Sequence, residues 1–232
     1  MSVLARDLSL LDIHADVWHA DTLATPHTQV VATGERTLDA LLPGGGWPLG
    51  ALTEVLQPTG VHSEWRLCLP ALARCGQGPV VMVGAPWVPF APALAAQGLA
   101  MRRLVWVAAP AAERLWAAEQ ALRCAEVDAV LAWLPHARSD QLRRLQMAAA
   151  EHSKLLFVLR PAQAQQDASP AVLRLLAAPA SDAGGDALQV QVLKRRGPPV
   201  EHPVSLHARP AALAMCLAAS RRHALDRTAT HA

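Results

Sequence analysis

A chain of 232 residues that is 52% hydrophobic and 17% charged can bury one sizeable core and is too apolar to remain disordered. Its net charge of +2 excludes a nucleic-acid-binding surface spread over the whole molecule, so any such surface must be a local patch. No stretch reaches the roughly 18 apolar residues of a membrane helix, and Arg6, Asp7, Asp12 and His14 break up any signal-peptide core, which points to a soluble cytoplasmic protein without membrane contact.

Residues 1–30 form an appendage whose apolar cluster, Val3, Leu4, Leu8, Leu10 and Leu11, is compatible with a helix; Trp18 reads as an apolar anchor onto the main domain. Val30–Thr33 is a short strand ending at Gly34, and Thr37–Leu42 a short helix stopped by Pro43 and the glycines at 44–46. Ala51–Leu56 is an apolar strand that breaks at Gln57-Pro58-Thr59-Gly60. A helix over Glu64–Arg74 follows. Pro79–Gly84 is a β-branched run expected in a strand buried on both faces of a parallel sheet. A proline-punctuated loop at Ala85–Phe90 leads to a short helix ending near Gly98, then to a third buried strand at Leu104–Ala108. Pro110 opens a helix over Ala111–Cys124, and Asp128–Leu134 is the next strand. A helix over 139–152, capped by Ser139, leads to a buried strand at Lys154–Leu159. The glutamine-rich stretch Ala162–Ser169 reads as a mobile loop, and Val172–Ala177 fits a strand or a helix equally. Ala187–Leu193 alternates as a half-exposed, edge-type strand. The densest basic cluster, Lys194-Arg195-Arg196, comes next, and a helical stretch from Pro210 closes the chain.

Strands alternating with helices at this spacing predict an α/β fold with a mainly parallel sheet flanked by helices, with a core over 31–200 and a helical or flexible tail over 201–232. The cysteines (Cys68, Cys75, Cys124, Cys216) lack a CxxC pair and read as buried reduced thiols. The histidines show no ligand spacing beyond the weak pair His202 and His207, so neither a metal nor a cofactor is expected.

The strand, loop and helix at 51–74 form the frame of a phosphate-binding loop. Such a loop needs Lys followed by Ser or Thr, to hold phosphate and magnesium. Here those slots hold Ser63 and Glu64, and a carboxylate repels phosphate.

The order Thr33-Gly34, Leu38-Asp39, Gly44–Gly50, Thr53-Glu54-Val55 and Gln57-Pro58 resembles the core of RecA-type recombinases. Leu42-Pro43-Gly44-Gly45-Gly46-Trp47-Pro48, Leu69-Pro70-Ala71-Leu72, Trp116–Arg123, Arg143–Gln146 and Leu193–Gly197 together resemble the ImuA family, the RecA/SulA-like accessory proteins of bacterial damage-induced mutagenesis. The resemblance spans about Val17 to Gly197. It implies a RecA-like core with a degenerate P-loop. The recombinase phosphate lysine and hydroxyl fall on Ser63 and Glu64, the catalytic carboxylate near Ala85-Pro86, the magnesium aspartate on Trp133 and the nucleotide-sensing glutamine near Pro161. A pseudo-ATPase with no catalytic residue follows from the resemblance.

The family's role implies a non-enzymatic adaptor of translesion synthesis in the SOS response to DNA damage. Its partners would be ImuB, an inactive Y-family polymerase relative, the error-prone C-family DNA polymerase through that complex, and RecA. Single-stranded DNA is a further candidate, because the recombinase DNA loops correspond to Pro135–Asp140 and Arg160–Ser169. Arg138, Arg143, Arg144 and Arg160 are either DNA contacts or the solvated faces of an ordinary helix and loop. Lys194, Arg195 and Arg196 are candidates for a partner carboxylate or DNA. The rival reading is a SulA-like inhibitor that binds the division protein FtsZ.

Overall fold

The computed structural model describes residues 29–180 and 187–207. The expected N-terminal helix, the Trp18 anchor, Cys216 and the helix from Pro210 lie outside them.

Val30–Val31 (β1) pairs antiparallel with Trp47–Pro48 (β2), and between them lies a single turn of helix, Arg36–Asp39 (α1), shorter than the periodicity predicts. The ribbon is tight because residue 46 lacks a side chain: a Cβ on Gly46 would sit 2.5 Å from the carbonyl oxygen of Val31. Thr33 N–H donates to the Asp39 carboxylate at 2.8 Å, closing the loop onto α1.

The other strands among the described residues form one eight-stranded sheet. They are Ala51–Gln57 (β3), Val80–Val83 (β4), Leu104–Val107 (β5), Ala129–Trp133 (β6), Leu155–Pro161 (β7), Leu173–Pro179 (β8), Ala187–Lys194 (β9) and Val204–His207 (β10). The order is β10-β9-β8-β3-β7-β6-β4-β5; the pairings from β8 through β5 are parallel, and β9 and β10 add antiparallel. Every residue of β3 is buried, as a central parallel strand requires.

The helices cover both faces. Glu64–Leu72 (α2) and Ala91–Ala96 (α3) contribute to a layer built on Val55, Met82, Leu131, Phe157 and Leu175. There Trp47 meets Phe157 edge-to-face at 5.2 Å. Arg114–Arg123 (α4) and Ser139–Glu151 (α5) cover the opposite face through Val81, Val130, Leu156 and Val158. None of the helices among the described residues is long and apolar enough to cross a membrane.

The structure departs from the sequence expectations at identifiable places. Among the described residues the strand at 104–107 is an edge strand, with Val105 41% and Trp106 46% exposed, because β4 alone of them pairs with it. The 187–194 strand pairs on both sides, so among the described residues the edge belongs to β10, within the stretch read as tail. The ambiguous segment is β8, a strand whose entry is fixed by Val172 N–H donating to the Leu52 carbonyl. The glutamine-rich loop contains a 3-10 turn at Ala162–Gln166, held by the Arg174 guanidinium donating to the carbonyls of Ala164 (2.8 Å) and Gln165 (3.3 Å). The 111–124 helix begins only at Arg114, after a turn in which Glu113 and Arg114 both donate to Pro110 O.

Candidate functional site

The parallel strands β3, β4, β6 and β7 point their carboxyl ends at one cleft of about 250 Å³, where open α/β sheets place their ligands. Its walls include Gln57 to His62 from the loop between β3 and α2, Gly84 and Pro86 beyond β4, Arg114 from α4, Trp133 and Pro135 at the end of β6, and Leu159 to Pro161 at the end of β7.

The β3–α2 loop turns tightly at Pro58–Val61, with Val61 N–H donating to Pro58 O at 3.0 Å and Gly60 at φ 78°. A positive φ at the third position of such a turn favours glycine. The loop ends at Ser63, whose side chain does not cap the helix. Glu64, the first residue of α2, turns inward with its side chain 4% exposed. Its carboxylate sits at the positive end of the helix, the position a bound anion would otherwise take. One carboxylate oxygen is 3.7 Å from Nδ1 of His62, and the other has no hydrogen-bond partner. His62 Nε2 accepts from the Trp87 indole N–H at 3.1 Å, joining the β4–α3 loop to the cleft wall. One turn into α2, burial pushes the Cys68 thiol well above its ordinary pKa, and the Glu64 charge adds to the shift.

Trp133 stands 8% exposed at the end of β6 and lines the cleft. Gln57 is equally enclosed, at 6% exposed. The indole N–H of Trp133, the amide nitrogen of Gln57 and Nε of Arg160 are buried without acceptors. All belong to cleft-lining residues, whereas most buried donors in proteins are paired.

Behind the cleft lies a charge cluster that inspection of the sequence did not single out. Glu54, fully buried on β3, accepts from Nη1 of Arg160 at 2.9 Å, and its other oxygen is 2.6 Å from Nε of Arg174. The second contact is an ion pair whose N–H is not aligned for a hydrogen bond. Arg160 Nη2 also donates to Asp167 (2.8 Å) and to the Ala137 carbonyl (3.0 Å). Glu54, Arg160 and Arg174 come from adjacent strands, whose register sets Glu54 opposite Arg174 and Leu56 opposite Arg160. The available sequence signal was charge inside otherwise apolar strands, with a buried carboxylate demanding buried cations.

The basic candidates separate into tethered and free side chains. Arg160, proposed from sequence as a DNA contact, has a side chain only 1% exposed and committed to Glu54 and Asp167, so it offers no surface charge. Arg144 is ion-paired to Glu119, which also holds Arg123 at 3.2 Å. Arg138 pairs with Asp140 at 3.2 Å on the surface, and that hydrogen bond lowers the Asp140 carboxyl below its ordinary pKa. Arg143 is exposed and has no ion pair among the described residues. Lys194 donates to Ser169 O at 3.0 Å, and Arg195 to Pro198 O (2.7 Å) and Leu41 O (2.5 Å), so both fasten chain segments together. Arg196 is exposed. The basic groups are spread across the sheet: β8, β3 and β7 lie between β9, which carries Lys194, and β6, which Arg138 follows.

No protein-family model matches this chain, and no curated protein matches it either.

Proposed function

We propose that this chain is a RecA-like adaptor of the bacterial translesion-synthesis complex, a pseudo-ATPase that binds ImuB and, through it, the error-prone C-family polymerase, with RecA and single-stranded DNA as further contacts. The observation that carries the reading is the inward carboxylate of Glu64 at the start of α2, just after the loop from β3. A parallel sheet brings a tight glycine turn to the cleft, yet the helix that follows the turn begins with the inward carboxylate of Glu64. Such a group opposes a γ-phosphate at the point where a nucleotide-hydrolysing loop must attract one. The indole of Trp133 occupies the β6 position at which a magnesium-binding carboxylate is expected from the resemblance, and an indole is no ligand for magnesium. The frame therefore serves binding in this reading, and chemistry is not required of it.

The test pairs an ATPase assay with capture of purified ImuB and RecA on the immobilised chain. Capture of ImuB without ATP turnover is the expected result, and Arg196→Glu tests the exposed end of the basic cluster without cutting the Lys194 and Arg195 tethers. ATP turnover above background, or failure to capture either protein, overturns the reading. Capture of FtsZ alone would replace it with the division-inhibitor reading.

A further inference from the structure

The loop between β4 and α3 exposes Trp87 (70%), Val88 (66%) and Phe90 (72%), and Pro86 and Pro89 deprive it of two backbone donors. Its ends are fixed: Gly84 N–H donates to Val107 O at 3.1 Å, and Phe90 O accepts from Ala93 N–H at 3.0 Å as α3 begins. Between those ends, the one hydrogen bond that ties the loop to another segment of the described residues runs from the Trp87 indole N–H to Nε2 of His62, at 3.1 Å. The two rings meet edge-on, 6.3 Å between centroids. An indole N–H can only donate, so Nε2 must be the bare nitrogen of a neutral imidazole. The imidazole hydrogen then sits on Nδ1, the atom 3.7 Å from the Glu64 carboxylate. Protonating His62 places a hydrogen on Nε2 as well, and two donors then face each other. The Trp87 bond and the imidazolium exclude one another.

We infer that His62 is a proton-operated latch on this loop. Neutral, it holds Trp87 at the cleft wall; protonated, it pairs with Glu64 and releases the segment from Trp87 to Phe90. Glu64 suits the second state, because its side chain is 4% exposed and one carboxylate oxygen has no hydrogen-bond partner. The other charges near His62 do not supply that anion. Arg114 and Arg160 line the same cleft as cations, the second already committed to Glu54 and Asp167, and Arg66 is exposed on the first turn of α2. Cys68 adds no charge, since burial and Glu64 keep its thiol protonated. The consequence is a change in how an apolar surface is presented, driven by one proton on a residue type that titrates near neutrality. The latch does not depend on the adaptor reading.

The test is an NMR titration of the full chain, labelled with ¹⁵N, from about pH 8 to about pH 5. The ring nitrogens of His62 report its tautomer and protonation, and the Trp87 indole N–H reports the latch. The indole of Trp116, exposed on α4, is the internal reference. At the alkaline end the expected state is a neutral His62 with its hydrogen on Nδ1 and a Trp87 indole proton in the downfield, hydrogen-bonded position. As pH falls, that proton moves upfield with the same midpoint as the His62 ring, while Trp116 stays still. His62→Gln abolishes the pH response of Trp87, because an amide does not titrate in this range. Glu64→Gln moves the shared midpoint to lower pH, because the imidazolium loses its carboxylate. A neutral His62 with its hydrogen on Nε2, a Trp87 signal that does not follow His62, a pH response that survives His62→Gln, or a midpoint unmoved by Glu64→Gln each overturns the inference.

Discussion

Replacing Glu54 by alanine would leave the Arg160 and Arg174 guanidinium groups buried without their shared anion. Both are deeply enclosed, with side chains 1% and 10% exposed, and Glu54 contacts them at 2.9 and 2.6 Å. Removing one partner of a buried ion pair typically costs about 3–5 kcal/mol, chiefly because an uncompensated charge stays behind. Two features move this case within that range. Asp167 remains as a counter-ion for Arg160 but is 55% exposed and so offers screened compensation. Two cations instead of one lose their anion, which acts the other way. We expect a loss of about 3–4 kcal/mol for Glu54→Ala, read by urea denaturation at pH 7 with the m-value unchanged. In a domain of this size that corresponds to a fall in Tm of roughly 6–16 °C. Glu54→Gln keeps an acceptor oxygen for Arg160 and should lose less. The largest local effect should be faster amide exchange through Ala162–Gln166, because Arg174 holds that turn through its guanidinium and is itself held by Glu54. A loss below about 1 kcal/mol for Glu54→Ala, with exchange at 162–166 unchanged, would refute the claim that this cluster sets the loop behind the cleft.

Gly46→Ala should lower stability by about 1–3 kcal/mol, since its Cβ would be driven into the Val31 carbonyl and the β1–β2 ribbon would have to open; thermal unfolding measures it. Alkylation with iodoacetamide at pH 7.5, followed by mass spectrometry, should modify exposed Cys124 first and Cys68 only after unfolding, because burial and the Glu64 charge keep the Cys68 thiol protonated. The Asp140 carboxyl should titrate below the ordinary aspartate range by NMR and return to it in Arg138→Ala. Because its folded pKa is depressed, the stabilisation from this pair is present above the unfolded aspartate pKa and disappears as pH falls through the folded one.

The α/β fold was legible in the sequence because parallel strands buried on both faces must be apolar without alternation. Val80–Val83, Ala129–Trp133 and Leu155–Leu159 carry that signature over their whole length. The order of β3, loop and α2 was equally local, since the apolar run, the break at Gln57-Pro58-Thr59-Gly60 and the helical spacing after it are contiguous. Leu104–Val107 reads like the buried strands, yet half of Trp106 faces solvent; composition reports the tendency of a strand to be covered, whereas strand order decides which one is last. The 172–177 segment was ambiguous because a short apolar run fits either period until its neighbour β3 supplies hydrogen bonds. Arg160 looked like a surface arginine on a DNA loop, but Glu54, 106 residues away, claims its charge. No local pattern can announce that pairing, because it exists only once three strands are aligned in register. The sequence by itself determined the central buried strands and the helices between them, because their apolar runs and helical spacing are contiguous. Tertiary structure decided which charges are spent internally and which donors stay unpaired around the cleft, since burial and pairing are properties of neighbours in space.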